Sequence, residues 1–256
     1  MDGIASCVMV TGAGAGIGRA SALQFLREGI SVAAVDRNRV KLEQLASDAS
    51  SHSYDADLNI FVFDLCASVE ETERLVERIE SWRSVAGLVN CAGVSDVGGV
   101  QDTTLTSWGQ IIDSNLGIPY RLSRILVPKM IESGSGVLLY MSSVAGLVGI
   151  PKRAAYCSAK AGLLGLTRSI AVDYAHLGIR ANAICPGVVD TPRIAAMIAK
   201  EEKDETAARQ RLAEQQLDGK MGSPQEVASL VVRLFDESFR GVNGSAIVVD
   251  GGLTAI

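Results

Sequence analysis

Histidine is scarce: His52 and His176 are the whole supply in 256 residues. Neither has a partner at ligand spacing, which argues against metal catalysis and against a serine–histidine–aspartate relay. Cysteine is limited to Cys7, Cys66, Cys91, Cys157 and Cys185, an odd count without a C-x-x-C pair. That pattern fits neither a disulfide framework nor a zinc site, and points to a reducing, cytoplasmic setting. No apolar run approaches the ~20 residues of a membrane span. Met1-Asp2 leads straight into C-V-M-V, so neither a signal peptide nor a membrane partner is expected. Basic tracts are missing too: 24 Lys and Arg face 29 Asp and Glu, for a net charge of −5. With no cationic run to neutralise phosphates, nucleic acid is not an expected partner.

The chain also lacks repeats, low-complexity segments and any shift in composition, which predicts a single domain over 1–256. Hydrophobic residues make up 48% and charged residues 21%, enough for a sizeable core. Strand-like runs alternate with helical stretches throughout: C-V-M-V, S-V-A-A-V, N-I-F-V-F, G-L-V-N, G-V-L-L-Y-M, R-A-N-A-I and S-A-I-V-V. Seven such runs with helices between them predict an α/β fold with a parallel sheet covered on both faces. One region departs from this pattern, a charge-dense insertion from Arg193 to Gly222 containing K-E-E-K-D-E-T-A-A-R-Q-R. Its place after the sixth strand suits a lid over substrate at about 190–222; a solvated helix pair is the plainer alternative.

The first strand runs into Gly12, Gly14, Gly16, Ile17 and Gly18, and a helix follows at once. Such glycines allow a tight turn and let backbone N–H groups approach a pyrophosphate at a helix N-terminus. Asp36 ends the second strand, where its carboxylate would accept from adenosine ribose hydroxyls and repel a 2′-phosphate. NAD is therefore the expected cofactor; Arg37, next in line, is the feature that would suit NADP. Asp64 and Leu65 after the third strand, and Asn90, Ala92 and Gly93 after the fourth, fall at strand carboxyl ends beside the ligand crevice of such sheets.

Tyr156 and Lys160 are four apart in a stretch of helical periodicity, so they share one face. A free phenol titrates near pH ~10, and making it a base near neutrality requires ~4 kcal/mol, at about 1.4 kcal/mol per unit. One cation ~4 Å away at an effective dielectric of ~20 contributes about that much. Asn115 lies in a long helical segment four residues before Pro119, which has no N–H. The Asn115 carbonyl thus loses its regular helix donor and could order a relay water beside Lys160.

Taken together, Gly12-x-x-x-Gly16-x-Gly18, Asn90-x-Ala92-Gly93, Asn115, Ser143, Tyr156-x-x-x-Lys160 and Pro186-Gly187 resemble the short-chain dehydrogenase/reductase family in order and spacing, over nearly all 256 residues. The resemblance implies a single-domain Rossmann fold with strand order 3-2-1-4-5-6-7 and an NAD-dependent oxidoreductase acting on a secondary alcohol or ketone. It assigns Tyr156 as general acid/base, Ser143 as the hydrogen-bond donor to the reacting oxygen, and Lys160 as the group that acidifies the phenol and holds the nicotinamide ribose. Asn115 would support the relay water, while Thr191 and Val189 would meet the carboxamide. Relatives generally form homotetramers, or homodimers, and small residues such as Ala159, Ala161, Gly162 and Gly165 would permit close helix packing. Cys91 stands where many relatives carry a second asparagine, placing a thiol near the cofactor beside Cys157 and Cys185.

Arg153 lies three residues before Tyr156, and Arg193, Arg209 and Arg211 fall in the charged insertion. The C-P-G-V-V-D-T-P run and the arginine before Tyr156 resemble the NAD-dependent 3-hydroxybutyrate and sugar-acid dehydrogenase branch, where arginines hold a carboxylate, so Arg153 and Arg193 are candidate substrate contacts. A non-catalytic dinucleotide sensor or scaffold is the alternative of another class; the complete serine–tyrosine–lysine set weighs against it.

Overall fold

The computed structural model describes residues 6–52, 54–201 and 204–255. Within them, seven strands form one sheet: β1 (Ser6–Thr11), β2 (Val32–Asp36), β3 (Leu58–Val62), β4 (Ser84–Asn90), β5 (Gly136–Met141), β6 (Ile179–Pro186) and β7 (Ala246–Val249). All pairings are parallel and the order is β3-β2-β1-β4-β5-β6-β7; each observed strand overlaps a predicted run, β5 coinciding with its run and β4 beginning three residues earlier than its run.

Alternate side chains explain why both faces must be covered. Cys7 and Met9 of β1 enter one core with Leu75, Leu122, Leu126 and Leu163, whereas Val8 and Val10 enter the other with Phe25, Leu42, Val227 and Val231. The first core is closed by helices α3 (Val69–Glu80), α5 (Ile118–Glu132) and α6 (Ala154–Tyr174), the second by α1 (Gly16–Arg27), α2 (Arg39–Ser50) and α9 (Pro224–Arg233). Both α3 and α9 begin with reciprocal caps, Ser68 with Glu71 and Ser223 with Glu226, so local sequence sets where these helices start. Register places Thr11, Asn90 and Tyr140 side by side, and the chain crosses from β3 back over β2 and β1 to β4. Loops diverge at that switch and leave a crevice at the carboxyl edge of the sheet.

The expected long helix around Asn115 is instead divided. α4 (Leu105–Ile112) passes through a π-helical turn, Asp113–Gly117, before α5, and the Ile118 N–H donates to the Asp113 carbonyl five residues back. Pro119 removes the N–H that a regular helix would aim at the Asn115 carbonyl, and the helix widens in the turn just before it.

Residues after β6 form α7 (Pro192–Glu201) and α8 (Glu205–Ala213), with positions 202 and 203 of the charged stretch outside the described residues. This excursion is closed at its base, where the Asp190 N–H donates to the Gly222 carbonyl at 2.8 Å and the Gly222 N–H to the Val188 carbonyl at 2.9 Å. None of the described helices is long and apolar enough to cross a membrane.

Candidate active site

Two loops are stitched together before any side chain enters the crevice. The Cys91 N–H donates to the Thr11 carbonyl at 3.3 Å and the Ala92 N–H to Thr11 Oγ1 at 3.2 Å. Gly12 and Gly16 have φ of +64° and +54°, the left-handed region that glycine enters without strain. A methyl at Gly12 would stand 3.0 Å from the Ala92 nitrogen, so backbone fills the space a side chain would need. No side chain caps the N-terminus of α1, whose first turn carries N–H groups that a helix leaves unbonded. Asp36 is anchored by the Gly14 N–H at 3.0 Å and the Asn38 N–H at 2.9 Å, one bond to each carboxylate oxygen. An uncapped helix start, a glycine cradle and a fixed carboxylate together fit the pyrophosphate and ribose of a dinucleotide.

A single crevice is lined by Gly12, Gly16, Ile17, Gly18, Asp36, Arg37, Asp64 and Leu65, together with Ala92, Gly93, Ser143, Tyr156, Lys160, Pro186, Gly187, Val189, Thr191 and Arg193. Residues as far apart in the chain as Gly12 and Arg193 thus share one wall. Four sequence candidates stand outside the lining. Gly14 faces Asp36 and Lys41. Asn90 is buried in the sheet, its Nδ2 without a hydrogen-bond partner. Asn115 lies behind Gly93, where a methyl would come within 2.5 Å of its Oδ1. Arg153 is engaged by Ser95 Oγ at 3.1 Å, the Asp96 carbonyl at 2.7 Å and the Met197 sulfur at 3.2 Å, which ties the start of α6 to the loop after β4 and to α7.

Sequence reasoning passed over Phe63, Ser114, Ile118, Met141 and Ile194, all of which line the crevice. Ser114 and Ile118 flank or occupy the π turn, and Pro119 was the one available sign that this helix changes its pitch.

Tyr156 is the centre of the polar cluster. From the same helix, the Lys160 Nζ sits 5.5 Å from the ring centroid and donates to the Met141 carbonyl at 2.7 Å. Ser142 Oγ donates to the Lys160 carbonyl at 2.9 Å, which fixes α6 against the end of β5. Ser143 begins the short 3₁₀ turn Val144–Gly146, where its hydroxyl accepts from the Ala145 N–H at 3.2 Å, and it lines the same crevice as the phenol. Arg193, at the start of α7, donates from Nη2 to the Tyr156 hydroxyl at 3.2 Å. Burial pushes the phenol up, but the charges of Lys160 and then Arg193, with hydrogen bonds from Arg193 and Ser143, outweigh it and hold Tyr156 below the usual tyrosine range. Lys160 is drawn below the usual lysine range by burial first and by Arg193, against the opposing pull of Tyr156.

The Asn115 side chain donates from Nδ2 to the Val94 and Ile111 carbonyls, each at 2.9 Å, while its buried Oδ1 has no partner. A buried side-chain acceptor therefore lies near the Lys160 ammonium. Burial pushes the Cys91 thiol up to about 12, which keeps it protonated and weakly nucleophilic. Among the described residues no three histidine, cysteine or carboxylate side chains gather as a metal site.

Residues 12–254 match the family described as enoyl-(acyl carrier protein) reductase. The chain is 35% identical over 249 residues to dehydrogenase/reductase SDR family member 6 of Aquarana catesbeiana, covering 96% of each protein. Among solved structures it is similar to a single-substitution variant of actinorhodin polyketide ketoreductase with NADPH, with a TM-score of 0.91 and 29% identity over 98% of both chains. It is also similar to a 4-hydroxyisoleucine dehydrogenase mutant complexed with NADH and succinate, with a TM-score of 0.86, 30% identity, and coverage of 98% of this chain and 99% of that one.

Proposed function

Because the chain belongs to the short-chain dehydrogenase/reductase family and is an alcohol/carbonyl oxidoreductase, we propose that it interconverts a secondary alcohol and a ketone with NAD, using Tyr156 as acid/base. The observation that carries this reading is the Tyr156 hydroxyl held between Lys160, Ser143 and Arg193 in the crevice that also contains the glycine loop and Asp36. A bound nicotinamide would supply the hydride acceptor or donor. In the oxidative direction the Tyr156 phenolate takes the proton from the substrate hydroxyl while Ser143 donates a hydrogen bond to the same oxygen. In the reverse direction the phenol returns that proton to the carbonyl oxygen. Lys160 stabilises the phenolate throughout, and Asn115 Oδ1, the buried acceptor behind Gly93, would hold the relay water.

Asp36 supports NAD over NADP. Each of its oxygens holds one backbone N–H and keeps a lone pair for the adenosine ribose hydroxyls, and its charge opposes a 2′-phosphate. Replacing Asp36 by serine should lower the ratio of kcat/KM with NAD to kcat/KM with NADP by about 10-fold or more, the effect of losing charge-assisted bonds worth ~1.5–3 kcal/mol. An unchanged ratio would remove Asp36 as the discriminating residue. The parent reaction is tested by following reduced-cofactor absorbance with hydroxy acids, sugars and cyclic alcohols, NAD and NADP side by side. Turnover with NAD is expected, and no turnover with any alcohol or ketone would favour a dinucleotide-binding protein without chemistry.

A hydroxy acid is the finer reading of the substrate, resembling the 3-hydroxybutyrate and sugar-acid branch. Arg193 favours it, since this guanidinium lines the crevice and makes no ion pair among the described residues. The structure of the 4-hydroxyisoleucine dehydrogenase with succinate lends support through a carboxylate ligand in a relative. Residues 190–222 would form the lid of a single domain spanning 1–256. Assembly as a homotetramer or homodimer would use the outer faces of α5 and α6, where Ala161 and Gly165 are exposed while Ala159 and Gly162 pack inward, Gly162 against Leu116.

A further inference from the structure

Arginines near the crevice are committed differently. Arg153 is spent on Ser95, Asp96 and Met197. Arg209 binds Asp190 at 2.9 Å and Glu205 at 3.1 Å, which ties α8 to the base of the lid. Arg193 alone of these three touches the reacting hydroxyl, by a hydrogen bond of 3.2 Å and with its guanidinium carbon 5.5 Å from the ring centroid. Its side chain is exposed, so Tyr156 is the contact that orients it. A guanidinium cannot accept a proton near neutrality and offers only donors, so it favours the oxygen of a phenolate over that of a phenol.

We propose that Arg193 is a catalytic residue: carried on α7, it donates an N–H to the Tyr156 oxygen and acts with Lys160 as a second cation that stabilises the phenolate until the substrate oxygen arrives. This rests on reading Tyr156 as the acid/base. Lys160 is fixed to the sheet edge through Met141, whereas Arg193 belongs to the lid excursion. One of the two cations beside the phenol is thus carried by the excursion after β6, and substrate entry would exchange one donor to Tyr156 for another.

The groups that face this phenol are few. Lys160 approaches from α6, Ser143 from the turn after β5 and Arg193 from α7. Behind Lys160 stand Cys91 and Cys185, the latter near Asp250; burial pushes both thiols up, Cys91 to about 12. Among the described residues, Lys160 and Arg193 are therefore the two charges that tune Tyr156.

Cofactor-free protein is titrated from neutral to alkaline pH by tyrosinate ultraviolet absorbance, and subtraction of the Tyr156→Phe titration isolates one phenol. Arg193→Met should move its midpoint up by about 1 unit, the lower end of the effect of a charge at ~4–6 Å. Arg193→Lys, which keeps the charge, should restore at least part of the shift. The acid limb of kcat/KM for alcohol oxidation should move in the same order. An unchanged midpoint in Arg193→Met would overturn the proposal, and so would a lysine variant shifted as far as the methionine one. Because the titration needs no turnover, a protein that titrates as expected yet oxidises nothing would uphold this electrostatic contact and refute the acid/base reading.

Discussion

Tyr156→Phe is expected to lower kcat for alcohol oxidation by about 10³-fold or more, within or beyond the ~10²–10⁴ that general acid–base catalysis contributes. The substitution removes one oxygen and keeps the ring, which packs beneath Lys160 and Arg193. Cofactor affinity should change little, because the glycine loop and Asp36 belong to other strands. Steady-state rates together with cofactor binding by fluorescence check both halves. A phenylalanine enzyme that oxidises alcohols at the parent rate would show that the proton leaves by another route.

Gly18→Ala should disable the dinucleotide cradle. Its methyl would stand 2.3 Å from the Gly12 carbonyl oxygen, a backbone atom that cannot turn aside as a side chain could. Gly12 itself lies beside backbone, since a methyl on it would stand 3.0 Å from the Ala92 nitrogen and Ala92 is stitched to Thr11. Either the loop opens or α1 shifts, and overpacking of this kind costs ~1–3 kcal/mol. Cofactor affinity should therefore weaken about 10–100-fold, measured by calorimetry, with a lower Tm. Gly109→Ala in α4 is the control, because nothing lies within 4 Å of a methyl there and its helix should be unharmed or slightly stabilised. Equal behaviour of the two variants would contradict a close-packed cradle.

The fold was legible because its signals are local and periodic. Runs such as G-V-L-L-Y-M can be buried on both sides only in a covered parallel sheet, and β5 coincides with that run. Tyr156 and Lys160 could be placed on one face because four residues make about one helical turn. What stayed hidden depends on contacts between distant elements. Arg153 and Arg193 look alike in the sequence, yet one is consumed by the loop after β4 and the other reaches the phenol. The break at Asp113–Gly117 was half visible: Pro119 marked a lost bond, but nothing in the local sequence separates a π turn from a kink. Ser114 and Ile118 entered the crevice with that change of pitch, and no local pattern announces it.

The central claim is that a cation on the same helix makes one phenol acidic enough to act near neutrality. Its most direct measurement is the pH dependence of kcat/KM for alcohol oxidation in Lys160→Met beside the parent enzyme. Removing the cation destabilises the phenolate and raises the pH at which the base form appears. The acid limb should therefore move to higher pH by more than about 1 unit, with the loss largest at low pH. An acid limb at the same pH in both proteins would contradict the account.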